Sequence, residues 1–82
     1  MDDASIGRLR WRCRRGTREL DRLLATWLDE HSTAADAASR AVFSRLLDAQ
    51  DPDLWSWLSG QERPADAAFA RIVDEIRARH RV

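Results

Sequence analysis

The sequence predicts an all-α fold, a compact five-helix bundle forming one domain over residues 1–82, with an ordered core over about 6–79. Three observations carry this. Apolar residues recur at i, i+3, i+4 and i+7, one stripe on a 3.6-residue helix. No run rich in Val, Ile and Thr alternates with period 2, as a half-buried strand would. The helix punctuation at Asp51-Pro52, Gly60 and Pro64 falls between the periodic segments rather than within them. A chain of 82 residues buries only about 60–65% of the surface that its unfolded form exposes, so the core is modest.

The elements follow in order. Residues 1–5 are expected to fray. From Ile6 to Arg15, the residues Ile6, Leu9 and Cys13 fit a helix face, whereas Leu9, Trp11 and Cys13 alternate as a strand would. A lone strand has no partner in a helical chain, so a short helix is expected. The second helix runs from about Thr17 to Glu30, with Leu20, Leu23, Leu24, Trp27 and Leu28 on one face. With Gly16 as its N-cap, Glu19 stands at N3, where a carboxylate meets free N–H groups and the positive end of the helix dipole. His31-Ser32-Thr33 breaks this helix. Thr33 with Asp36 is a loose capping box for a third helix, whose stripe is Ala35, Ala38, Val42, Phe43, Leu46 and Leu47. Asp51 as N-cap and Pro52 at N1 open a fourth, carrying Leu54, Trp57 and Leu58 and ended by Gly60. After the turn Gln61–Pro64 the last helix carries Phe69, Ile72, Val73 and Ile76. Arg77, Arg79, His80 and Arg81 complement the dipole at its end. The residues expected in the core are Leu24, Trp27, Phe43, Leu46, Leu54, Trp57, Phe69, Ile72 and Val73.

The chain is organised around Arg14–Asp21. From Arg8 to Arg18 there are six arginines and no acid; the rest holds eight arginines against fourteen acids, a net of −6, so the molecule is neutral but unevenly charged. Lysine is absent, which lowers what any single arginine says about function. At the point where the charge changes sign stands Gly16, whose missing Cβ permits a bend that the flanking arginines would resist. The single cysteine, Cys13, rules out an internal disulfide and fits a reducing compartment. An acidic start, Met1-Asp2-Asp3, followed by no apolar run, argues against a targeting segment, and no stretch approaches the ~20 apolar residues of a membrane helix. The expected location is the cytoplasm.

Catalytic constellations are missing. His31, His80 and one cysteine do not make a metal set by spacing. No serine has nucleophile-elbow glycines around it. Gly7, Gly16 and Gly60 are too scattered for a phosphate cradle or a dinucleotide fingerprint. No cofactor is expected to be held stably by this chain alone, and the expected mode of action is binding to another protein. Arg15 reads either as a surface arginine paired with Glu19 at i+4 or as a contact. Trp11 reads as core or as contact surface. Cys13 has arginine neighbours that favour a thiolate, yet most lone cysteines are small buried fillers. Trp55 lies about 100° round its helix from Leu54, off the stripe, and is expected to be partly exposed.

The segment Trp11-Arg12-Cys13-Arg14-Arg15-Gly16-Thr17-Arg18-Glu19-Leu20-Asp21 resembles the signature of the small flavinylation factors of succinate dehydrogenase, SdhE in bacteria. Their hallmark Arg-Gly-x-x-Glu is matched by Arg15, Gly16 and Glu19. The resemblance continues through Phe43-x-x-Leu46-Leu47, Asp51-Pro52-Asp53-Leu54, Trp57-Leu58 and Pro64-Ala65-Asp66, covering about residues 8 to 77. Trp55 departs mildly, where a smaller aromatic or aliphatic residue would be expected. The resemblance implies a five-helix bundle. It also implies an assembly factor, not an enzyme, that binds the flavoprotein subunit of succinate dehydrogenase or fumarate reductase. The factor promotes covalent attachment of FAD to a histidine of that subunit, the FAD belonging to the partner. The partner-binding residues it points to are Arg8, Trp11, Arg15, Gly16, Thr17 and Glu19, in a chain expected to be monomeric. The alternative is a small arginine-rich nucleic-acid-binding or antitoxin-like regulator, whose clustered arginines would grip phosphates. Against it, the basic segment is short and the remainder acidic, so no nucleic acid is expected as partner.

Overall fold

The computed structural model describes residues 6–80. Its elements are α1 (Ile6–Arg12), α2 (Arg18–Glu30), a single 3-10 turn (Ala34–Asp36), α3 (Ala37–Leu46), α4 (Asp51–Leu58) and α5 (Ala67–His80), with no strand among the described residues. The expectations for residues 1–5 and for Arg81 lie outside the described residues. α2 and α5 form the centre. α5 packs against α2, α3 and α4, and α2 also against α1 and α4.

The apolar stripes meet in one core. Leu20, Leu23, Leu24, Trp27 and Leu28 of α2 are all buried, with Phe43 and Leu46 from α3, Leu54 and Leu58 from α4, and Ile72, Val73 and Ile76 from α5. The indole of Trp27 lies between two rings, stacked on Phe43 at 4.4 Å and on His31 at 4.1 Å between centroids. Two residues expected in the core, Trp57 and Phe69, are only partly buried. They lean on each other at 6.4 Å on the edge between α4 and α5, where no further layer covers them.

Several element ends differ from expectation, each for a local reason. α1 stops at Arg12 rather than Arg15, and Cys13 turns inward with its N–H on Leu9 O at 3.0 Å. Leu9 and Cys13 are buried while Trp11 is exposed, which fits a helix face and not a strand. The N-cap of α2 is Thr17, not Gly16. Its backbone is extended and its hydroxyl accepts from Leu20 N at 3.2 Å, a bond that glycine cannot make. Glu19 therefore sits at N2 and, with Asp21, in the favourable field of the first turn. The Thr33–Asp36 box forms, Asp36 Oδ2 accepting from the Thr33 N–H at 3.2 Å and hydroxyl at 2.7 Å, but it opens a 3-10 turn. That tighter winding takes Ala35 out of the stripe's phase. Ala35 and Ala38 are exposed, and the close helix approach expected of them does not occur.

The cap of α4 is Gln50, with Asp51 at N1 and Pro52 at N2, because the Asp51 carboxylate is engaged elsewhere. At the far end Gly60 has φ +86°, and Gln61 N bonds back to Ser56 O at 2.9 Å, closing the helix as a left-handed cap. α5 begins on Asp66, whose Oδ1 accepts from Ala68 N at 2.8 Å and Phe69 N at 3.2 Å. No described helix is long and apolar enough to cross a membrane.

Candidate functional site

The loop between α1 and α2, with the first turn of α2, holds the Arg-Gly-x-x-Glu motif, and residues far away in the chain help to set its shape. Arg15 turns its side chain inward. Nε donates to Asp51 Oδ1 at 2.7 Å, Nη2 to Ala49 O at 2.8 Å and Nη1 to Leu47 O at 3.1 Å. The guanidinium thus satisfies carbonyls left free where α3 ends, while its planar fork pairs with the acid that starts α4. Its own backbone N–H donates to the Asp21 carboxylate. The i+4 pair with Glu19 does not form; Arg15 is bonded to Asp51 instead.

Gly16 completes the junction. Its N–H donates to Asp51 Oδ2 at 3.0 Å, so Asp51 holds Arg15 with one oxygen and the Gly16 backbone with the other. The Arg15 guanidinium and then the Gly16 amide hold the Asp51 carboxyl below its ordinary value of 3.8. The backbone of Gly16 is not left-handed; among the described residues only Gly60 is a positive-φ glycine. The demand on Gly16 is close approach. A Cβ there would lie 3.2 Å from Asp51 Oδ2, and the carboxylate would have to give way. The expected bend is therefore present without the special backbone angles that were its stated reason.

With Arg15 and the Gly16 amide tied down, Gly16, Thr17, Arg18 and Glu19 stand outward at a fixed corner, all exposed. Beside it α2 and α4 leave a shallow, mostly apolar groove of about 370 Å³, lined by Thr17, Glu19, Leu20, Asp51, Pro52 and Trp55. Trp55 is 38% exposed and forms the outer wall. Sequence reasoning anticipated its exposure but not its place beside the motif. It missed Asp51 entirely, reading it as a helix cap. The available signal was that Asp51-Pro52-Asp53-Leu54 and Arg15-Gly16-x-x-Glu19 belong to the same resemblance, and the fold joins the two.

The remaining predicted residues lie round the other side of the loop. Trp11 is 70% exposed on α1, with the guanidinium carbon of Arg14 5.7 Å from its ring centroid. Arg8, also exposed, is three residues earlier on α1. Trp11 and Arg14 border a groove that reaches Asp21, so this surface adjoins the corner. Cys13 beneath it is 2% exposed. Burial pushes its thiol up to about 11, outweighing the opposing pull of Arg10, Arg15 and Arg12. It fills the core between α1 and α2 rather than presenting a reactive thiolate. No three metal-ligating side chains come together among the described residues. What the site offers is a shaped, rigid surface with one outward carboxylate, two exposed indoles and several guanidinium groups.

Comparison with known proteins identifies the family. Residues 7–80 match the family model described as flavinator of succinate dehydrogenase. The chain is 48% identical over 79 residues to the FAD assembly factor SdhE of Xylella fastidiosa, covering 95% of this chain and 81% of that protein. It is 50% identical over 72 residues to the FAD assembly factor SdhE of Methylococcus capsulatus, covering 88% and 87% respectively. No solved structure gives a significant match. The chain belongs to the family of succinate dehydrogenase flavinators.

Proposed function

We propose that this protein is an assembly factor that binds the flavoprotein subunit of succinate dehydrogenase, or of fumarate reductase, and promotes covalent attachment of FAD to it. The observation that carries this reading is the corner at Gly16–Glu19. A guanidinium and a backbone amide from the motif are both spent inside the fold on Asp51, and the rest of the motif is thereby held outward. Thr17 and Glu19 are exposed beside a mostly apolar groove, besides the parts they play at the start of α2.

On this reading Arg15 is the positioning residue, while Gly16, Thr17, Glu19 and the Trp55 groove touch the partner. The factor acts as a monomer in the cytoplasm and is not itself an enzyme. FAD and the histidine that receives it both belong to the subunit, and the factor contributes orientation. Holding two reacting groups in an attack-ready geometry accounts for several kcal/mol of a barrier without any acid or base from the factor.

The test is to express the flavoprotein subunit with each variant of the factor and to read covalent flavin by fluorescence on a denaturing gel. Circular dichroism follows the variant's own fold. Gly16→Arg puts bulk where the corner must approach its partner, and Glu19→Ala removes a charge-assisted contact. Both are expected to remain helical and to lose most covalent flavin. Full flavin attachment with folded Gly16→Arg and Glu19→Ala would overturn the assignment of this corner.

A further inference from the structure

The loop after α1 and the first half of α2 carry guanidinium groups that take no part in the ion pairs among the described residues. Arg10 pairs with Asp29, Arg12 with Asp48 and Arg15 with Asp51, each within 2.7 Å. Arg14, Arg18 and Arg22 are exposed, and none makes an ion pair with a described residue. They lie side by side. Arg14 borders one groove with Trp11 and Asp21, and Arg18 and Arg22 border the next, with Asp21 as the shared wall. Arg18 and Arg22 are four apart on α2, so they project from the same side. Arg14 rests over the Trp11 ring, a cation–π contact that orders both groups before any partner arrives.

We propose that this strip, Trp11 with Arg14, Arg18 and Arg22, is the second half of the docking surface and receives an acidic segment of the flavoprotein subunit. The inference rests on the docking reading above. Guanidinium forks match carboxylates in two-point geometry, and Trp11 offers an apolar face for the chain that carries them. The strip is continuous with the Gly16–Glu19 corner, because Glu19 and Asp21 border the same groove as Arg18 and Arg22. The occupant is a protein segment rather than a nucleic acid because carboxylates interrupt the strip. Glu19 and Asp21 would face the unbroken charge of a phosphate backbone, and outside residues 8–18 the chain carries −6. Acidic side chains set at intervals on a protein can meet the arginines and avoid those acids.

The test measures binding of the full chain to the purified flavoprotein subunit at low and high ionic strength. Arg14→Gln/Arg18→Gln/Arg22→Gln should stay folded, since none of the three supports an ion pair within the described fold. Its association rate at low salt should fall about tenfold, with most of the salt dependence lost. Trp11→Ala should speed dissociation. If the triple variant loses helicity, the single changes Arg18→Gln and Arg22→Gln carry the same test. Unchanged rates with unchanged salt dependence would overturn the proposal. So would salt-sensitive quenching of tryptophan fluorescence by an oligothymidylate that the triple variant abolishes while subunit binding is untouched. A Glu19→Ala control separates the two readings. If it weakens binding and the arginine changes do not, the corner stands and the strip falls. If the wild-type chain does not bind the subunit at all, both fall.

Discussion

Arg15 and Asp51 are 36 residues apart in the chain and 2.7 Å apart in the fold. Their pairing joins the start of α2 to the start of α4 and turns two sequence motifs into one junction. Replacing either residue therefore disturbs a surface that neither of them forms by itself.

Arg15→Ala removes the donors to Leu47 O and Ala49 O and leaves Asp51 without its cation. The expected cost is about 2–3 kcal/mol, from charged hydrogen bonds in a partly buried setting. Arg15→Lys should recover only part of it, because one ammonium cannot reach three acceptors arranged for a fork. Thermal melting of the three proteins checks this ordering; equal stability of wild type and Arg15→Ala would contradict it.

The same pair shapes the acid limb of the stability curve. The folded-state value of Asp51 is lowered from 3.8, so its contribution is complete above the unfolded value and is lost as pH falls through the lower folded one. Asp36, held by the Thr33 hydroxyl, and Asp74, held by Arg63, act in the same direction. Stability should thus be level near neutral pH with respect to these groups and should drop below about pH 4. Asp51→Asn should make that drop shallower, as followed by denaturant midpoints across the acid range.

Phe43 is 0% exposed and stacks on Trp27, so Phe43→Ala opens a cavity beside the central indole. The expected loss is about 3–5 kcal/mol. In a domain of this size that is a large part of the total, and the variant should be mostly unfolded at 25 °C. A native-like melting temperature would show that the core closes over the gap.

Cys13 should be inert until the chain opens. With its thiol pushed up to about 11, roughly one molecule in a thousand carries the thiolate at pH 8. Labelling by a thiol reagent should therefore follow the rate of opening and accelerate sharply in denaturant. Rapid labelling of the native protein would place Cys13 nearer the surface than its 2% exposure.

The apolar stripes made the bundle legible, because a 3.6-residue repeat depends only on neighbours along one helix. Leu20 to Leu28 and Ile72 to Ile76 needed no knowledge of the rest of the chain. The junctions were less legible. Thr17 and Gly16 are adjacent candidates for one cap, and only the hydroxyl bond to Leu20 N decides between them. Asp51 carries every local sign of a helix cap, and a guanidinium from across the molecule draws its carboxylate away. Trp11 read as core or as contact surface from its own segment, and only the resemblance pointed to it as a contact; the structure leaves it 70% exposed. Half of the candidate site, the exposed Thr17–Glu19 edge, was readable from motif and phase. The other half, Asp51 beneath it and Trp55 beside it, exists only through tertiary contact.

The long reach of the bonds from residues 15 and 16 has a consequence for biosynthesis. A nascent chain that has not yet exposed Asp51 can wind α1 and α2, but only the local bonds of the Arg15 N–H to Asp21 and of the Thr17 cap then hold the loop between them. The corner is finished only when the second half of the molecule has docked on the first, a late event for contacts so distant in sequence. The proposed docking edge is thus a certificate of completed folding, borne by finished molecules and withheld from fragments and stalled intermediates.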